Sequence, residues 1–231
     1  MARVPAAVIR RTRPAQLPPL LRAIVVGDQR LAARLIAMSR TSVTVRSPGW
    51  AWLPRYKTGY TTGDTALHLA AGVANVAAVR LLLRRGADPD AANVHGHRPL
   101  HAAVSCGSGR PPIRQRRVAR IVALLIKGGA HPDARDIRGV APLHTAVRAR
   151  SLESVRALLD GGAALRPRNG ATGATPLHLA VRTTGKGGSG APAARAAASA
   201  ITALLVARGA RFTDRDRRGR SVTDWAGTTR V

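Results

Sequence analysis

Short apolar blocks at helical spacing, each closed by a glycine, recur along most of this chain. Val79-Arg-Leu-Leu-Leu83 runs into Gly86, and Val122-Ala-Leu-Leu-Ile126 runs into Gly129. Nearer the start, Leu20-Leu-Arg-Ala-Ile-Val-Val-Gly-Asp28 is followed by Leu31-Ala-Ala-Arg-Leu-Ile36. Apolar positions three and four apart predict amphipathic helices, and glycine at the end of each predicts a left-handed closing turn. The departure from this pattern is Thr41-Ser-Val-Thr-Val-Arg46, whose alternation reads as a strand, with Ser47-Pro-Gly49 as a turn and Trp50-Ala-Trp-Leu53 as the returning strand of a hairpin. No apolar run approaches the roughly 18 residues that span a bilayer, so no membrane role is expected.

One motif stands between the apolar blocks four times: Thr65-Ala-Leu-His68, Arg98-Pro-Leu-His101, Ala141-Pro-Leu-His144 and Thr175-Pro-Leu-His178. Its leucines are 33, 43 and 34 residues apart, and a glycine precedes each motif by two residues, at Gly63, Gly96, Gly139 and Gly173. A second landmark, Gly-Ala, closes each unit at Gly86, Gly129, Gly162 and Gly209. In such a unit Thr65 or Thr175 can cap the first turn and proline is preorganised for the first helical position. The neutral ring of His68, His101, His144 or His178 can donate from one nitrogen and accept at the other, bridging neighbouring units. Arg98 and Ala141 lack the capping hydroxyl, an expected loss of about 1 kcal/mol each.

These residues resemble the ankyrin repeat, over about residues 60–226. The resemblance implies an all-α solenoid of stacked helix-turn-helix units with finger loops: an N-terminal capping repeat, about four full repeats and a partial C-terminal cap at Gly219-Arg-Ser-Val-Thr-Asp-Trp-Ala226. The chain divides accordingly into a basic arm (1–16), a cap (17–39), an aromatic insertion (40–60), repeats at 61–93, 94–136, 137–170 and 171–216, a C-terminal cap (217–226) and a tail (227–231).

Two repeats are stretched. From motif histidine to exit glycine is 18 residues in the first and third repeats, but 28 in the second and 31 in the fourth. Both insertions run from glycines into proline and then a helical pattern, which predicts N-terminal extensions of the second helix. The first carries Arg110, Arg114, Arg116, Arg117 and Arg120, the densest basic cluster, read first as a solvated face and second as a contact for phosphate or acidic protein. Trp50, Trp52, Tyr56 and Tyr60 crowd the aromatic insertion. They read first as anchors of an enlarged loop and second as a binding hot spot.

Composition modifies this picture without replacing it. Lys plus Arg is 38 against 11 for Asp plus Glu, a net charge of +27, nearly all of it arginine. That favours anionic partners, although codon bias accounts for arginine excess equally well. Aromatics are 3%, which counts against base-stacking platforms. The single cysteine, Cys106, excludes an internal disulfide and points to a reducing, cytoplasmic setting.

Candidate chemistry is sparse. The four motif histidines read as structural, and His95, His97 and His131 lack a further ligand at zinc spacing, so no metal is expected. Asp88, Asp90, Asp133, Asp136, Asp214 and Asp216 fall at finger-loop positions, Glu153 is the only glutamate, and Gly185-Lys-Gly-Gly-Ser-Gly190 lacks the ending of a phosphate loop. No cofactor and no enzymatic activity are expected. The resemblance implies a scaffold that binds another protein through the concave face and finger loops. Its exposed positions would be Thr62, Asp64, His95, His97, Arg138, Val140, Thr172 and Ala174 beside the motif glycines. Gly72, Val73, Ser105, Cys106, Arg148, Ala149, Arg182 and Thr183 would follow the first helices. The partner-binding set is taken as His95, His97, Ser105, Arg138, Val140, Arg148, Arg182 and Thr183, facing an acidic protein and acting as a monomer. The rival is sequence-independent nucleic-acid binding driven by charge.

Overall fold

Helices of six to nine residues are too short to persist alone in water, so this chain holds its helices by stacking them. The computed structural model describes residues 16–38, 44–53, 58–105, 112–182 and 192–227. Within them, helices come in antiparallel pairs: α1 (Pro19–Val26) with α2 (Gln29–Met38), α3 (Ala66–Gly72) with α4 (Val76–Arg84), α5 (Pro99–Val104) with α6 (Pro112–Lys127), α7 (Pro142–Arg148) with α8 (Leu152–Asp160), and α9 (Pro176–Val181) with α10 (Pro192–Ala207). A last short helix, α11 (Val222–Gly227), follows. The first helices pack in one row, α1, α3, α5, α7, α9 and α11, and the second helices in another, α2, α4, α6, α8 and α10. The result is the expected all-α solenoid.

The core lies between the rows and repeats with them. Leu67, Leu100, Leu143 and Leu177 occupy the same site in successive first helices, and Leu82, Leu125, Leu158 and Leu205 the same site in successive second helices; all are buried. Each contributes about 1.5–3 kcal/mol of burial. Ala70, Ala103, Ala146 and Ala180 are buried between adjacent first helices, where only a methyl group stands between backbones. That is how a chain so poor in aromatics fills a core.

Both insertions lengthen the second helix as expected: α6 and α10 have 16 residues, α4 and α8 have 9. Pro112 and Pro192 open the long helices, where a missing N–H costs nothing. In the short repeats the connection instead turns through Ala74 (φ 59°) and Arg150 (φ 54°).

The hairpin differs from the expected one. β1 (Ala51–Leu53) pairs antiparallel with β2 (Thr58–Tyr60), placing Ala51 opposite Tyr60. Arg46 bridges instead to Thr65, and its guanidinium donates to the Gly63 and Ala92 carbonyls at 2.9 and 2.8 Å. Ser47 N donates to Asp64 O at 2.8 Å, and Gly63 N donates to Ser47 O at 2.9 Å. The alternating segment therefore ends on the first finger turn, because that turn offers backbone partners and a place for the Arg46 charge. Residues 41–43 and Tyr56 lie outside the described residues. Among the described residues no helix is long and apolar enough to cross a membrane.

Candidate functional site

The finger loops at Gly96, Gly139 and Gly219 are each built on a side chain three residues before the glycine. Asn93 Oδ1 accepts from the backbone N–H of His95 and His97 at 2.9 and 3.0 Å. Asp136 Oδ1 accepts from Arg138 and Val140, both at 2.8 Å, and Asp216 Oδ1 from Arg218 and Arg220 at 2.8 and 3.0 Å. The chain then reverses through Gly96, Gly139 and Gly219 at φ 70°, 70° and 74°, a region glycine enters without cost. Successive loops are joined edge to edge: Val94 N donates to Thr62 O, Ile137 N to His95 O, Gly170 N to Arg138 O and Arg217 N to Thr172 O.

The motif histidines lock these loops to the helices. In every repeat the ring Nδ1 accepts the N–H of the residue that starts the motif: Thr65 and Thr175 at 3.1 Å, Arg98 at 3.2 Å and Ala141 at 3.3 Å. Nδ1 is thus unprotonated, and Nε2 carries the proton. It donates to a carbonyl of the next loop: His68 to His97, His101 to Val140, His144 to Ala174 and His178 to Arg220, at 3.0 to 3.4 Å. Burial is the first cause that pushes all four imidazoles below their ordinary range, His101 to about 4, so the rings are neutral at pH 7.

This arrangement also shows why a lost cap matters less than the sequence suggested. Thr65 Oγ1 lies 3.5 Å from His68 N, a weak cap, and Thr175 Oγ1 turns to the His178 ring at 2.8 Å rather than to a backbone N–H. The starting residue's own N–H goes to the histidine whether that residue is Thr, Arg or Ala. Arg98 further donates to the Asp90 carbonyl.

The acids beside the loop glycines face inward. Asp64, Asp136 and Asp216 are buried, with 6%, 6% and 5% of their surface exposed. Asp64 accepts from Thr61 N at 2.7 Å and Asn93 Nδ2 at 2.7 Å. His97 Nε2 stands 3.3 Å from Asp136 Oδ2. Burial alone would raise the Asp136 carboxyl, but the N–H groups of Val140 and Arg138 outweigh it and hold the group below its usual range. The same opposition, with Trp225 and Arg220 as donors, holds Asp216 well below it. The expectation that Asp64 is exposed is therefore wrong, as it is for Gly72, Val73 and Ala174, all buried. Gly72 and Val73 close the helix that packs beside the hairpin, and Ala174 sits under the adjoining loop, its carbonyl receiving His144.

Of the expected partner-binding residues, Ser105, Arg138, Arg148 and Arg182 are exposed, and His95, His97 and Val140 half-buried; Thr183 lies outside the described residues, as do Cys106, Arg110 and Gly185-Lys-Gly-Gly-Ser-Gly190. Arg116, Arg117 and Arg120 are exposed on α6, on the second-helix side. His95, His97, Ser105 and Arg148 come together with Trp50, Tyr60 and Thr145 around one cavity of about 600 Å³. Arg138 and Arg182 do not line it. The His97 ring stacks on His101 at 5.5 Å and 19°, and His95 lies 6.0 Å from His97. Among the described residues no three His, Cys, Asp or Glu side chains are grouped as a metal site.

Sequence reasoning missed Asn93, Arg46 and Trp225. The first was legible, since Asn93, Asp136 and Asp216 each precede a loop glycine by three residues. Arg46 and Trp225 act across the fold, with no local signal.

A family model described as ankyrin repeats in three copies matches residues 20–111 and 113–216. No curated protein matches the chain.

Proposed function

The chain belongs to the ankyrin-repeat family, whose members generally serve as protein–protein interaction modules and are typically non-catalytic, and from that premise we propose that it is a scaffold for an acidic protein partner. The partner docks on the concave face and finger loops, across Arg138, Arg148 and Arg182 with His95, His97, Ser105 and Val140. One observation carries this reading. Beside the loop glycines the carboxylates of Asp136 and Asp216 are buried and occupied by backbone N–H groups of their own loops, which leaves Arg138, with Arg148 and Arg182 at the first-helix ends, as exposed charges. Arg138 is 61% exposed and reaches Asp136 only at 3.5 Å; Arg148 makes no hydrogen bond or ion pair with a described residue. Rim charges of this kind steer and select partners.

The experiment is capture from lysate by the wild-type chain and by the triple variant Arg138→Glu, Arg148→Glu, Arg182→Glu, each with nuclease and across a salt series. A discrete nuclease-resistant band that disappears in the variant, with helicity unchanged, supports the reading; a band equally strong in both overturns it.

A second reading has its own observation. Arg30 and Arg34 on α2, Arg80 and Arg84 on α4, and Arg116 and Arg120 on α6 recur four residues apart on adjacent second helices, and none is ion-paired among the described residues. This stripe suits a nucleic-acid backbone, and it predicts nuclease-sensitive capture that falls steeply with salt.

A further inference from the structure

The cavity beside the hairpin differs in kind from the rest of the concave face. Trp50, 39% exposed, and buried Tyr60, both contributed by the insertion, line it together with His97 and His101 and with Thr145 and Arg148 of α7. Its volume of about 600 Å³ falls within the range of small-ligand sites, about 300–1,000 Å³.

The uncommitted charge of this cavity is one-sided. Its one carboxylate, Asp64, is committed to Thr61 and Asn93, with His68 Nε2 at 4.0 Å. The His101 ring is saturated by Arg98 N and the Val140 carbonyl. Left to a visitor are the Arg148 guanidinium, which can only donate, and the Thr145 hydroxyl, which can donate or accept, neither bonded to a described residue, with the His95 ring beside the same cavity. A guanidinium and an aromatic side chain lining one cavity, whose carboxylate is already engaged, match a planar carboxylate on a short apolar stem.

We propose that this cavity receives a glutamate or aspartate side chain from an acidic partner segment, its carboxylate on Arg148 and Thr145 and its stem against Trp50. This rests on the reading of the concave face as the partner-binding side and names the place where that partner is gripped. The insertion supplies one part of this grip and the end of α7 the other, so the site needs the insertion as well as the repeat pattern.

The test is fluorescence anisotropy with a fluorescein-labelled hexapeptide of alternating leucine and glutamate, and with its leucine–glutamine counterpart. Variants of the full chain are Arg148→Gln, Trp50→Ala, Arg138→Gln, Arg182→Gln and Arg156→Gln, the last an exposed arginine on α8. The expected result is binding of the glutamate peptide alone, weakened about tenfold by Arg148→Gln, as loss of a hydrogen bond to a charged group implies, and about tenfold by Trp50→Ala, as loss of the apolar contact with the stem implies. Arg156→Gln stays within about twofold. Equal weakening by Arg156→Gln and Arg148→Gln overturns the proposal, since bulk charge would then be the cause. Equal weakening by Arg138→Gln, Arg148→Gln and Arg182→Gln with Trp50→Ala silent also overturns it, while leaving the concave-face reading intact. No binding of the glutamate peptide at low salt overturns both.

Discussion

His101 donates from Nε2 to the carbonyl of Val140, 3.0 Å away and 39 residues on in the chain, while its Nδ1 accepts the N–H of Arg98. One buried ring thus satisfies a helix start in its own repeat and a finger loop in the next. The same relation recurs at His68, His144 and His178, so the stack is held by a periodic polar tie as well as by its leucines.

Replacing His101 with Ala leaves a backbone N–H and a carbonyl without their partners in a buried site. The expected loss is about 3 kcal/mol, from roughly 1–3 kcal/mol for each stranded group. Urea unfolding measures it, and a loss under about 1 kcal/mol would show that water replaces the ring.

The same rings set an acid limit. Their folded pKa values lie below 6.5, so below pH 6.5, and for His101 down to about 4, the unfolded chain binds protons that the folded chain refuses. Stability is full above pH 6.5 and falls as pH drops through that window, by up to about 1.4 kcal/mol per pH unit for each fully displaced histidine. Urea midpoints at a series of pH values test this. A flat profile between pH 7 and 5 contradicts it, and His101→Gln should shallow the slope.

Two glycines separate backbone conformation from close packing. A Cβ on Gly162, at φ 87°, meets nothing within 4 Å, so Gly162→Ala costs only the left-handed penalty of about 1 kcal/mol. On Gly139, at φ 70°, it would stand 2.7 Å from the Cα and N of Gly170, where two loops cross. Gly139→Ala is expected to cost at least about 2 kcal/mol more than Gly162→Ala. Equal thermal shifts for the two variants would refute the close approach.

Trp225 closes the C-terminal end. Its Nε1 donates to Asp216 Oδ2 at 3.0 Å, and its ring meets the edge of His178 at 5.4 Å, with the guanidinium of Arg220 at 5.1 Å. Trp225→Phe keeps the ring and removes the donor. Asp216 should then titrate nearer the ordinary carboxyl range, and the variant should be less stable than wild type at pH 7 and closer to it in acid, where the carboxyl is protonated. NMR titration of the Asp216 carboxyl checks the first and unfolding at both pH values the second.

Four Thr-Pro-Leu-His-like motifs and four Gly-Ala exits, read from the sequence alone, determined the helix pairs, their order, the lengthened α6 and α10 and the structural role of His68, His101, His144 and His178, because spacing along a helix and left-handed turns are local properties. The tertiary structure decided the rest. Asp64 lost its place on the surface because Asn93, 29 residues later, donates to it. Arg46 left the expected hairpin because the Gly63 and Ala92 carbonyls lie within reach of its guanidinium. Trp50 and Arg148 came to line one cavity through the stacking of repeats and the pairing of Ala51 with Tyr60. Such contacts depend on which backbone and side-chain atoms remain unsatisfied after the units stack, and that is a property of the assembled solenoid.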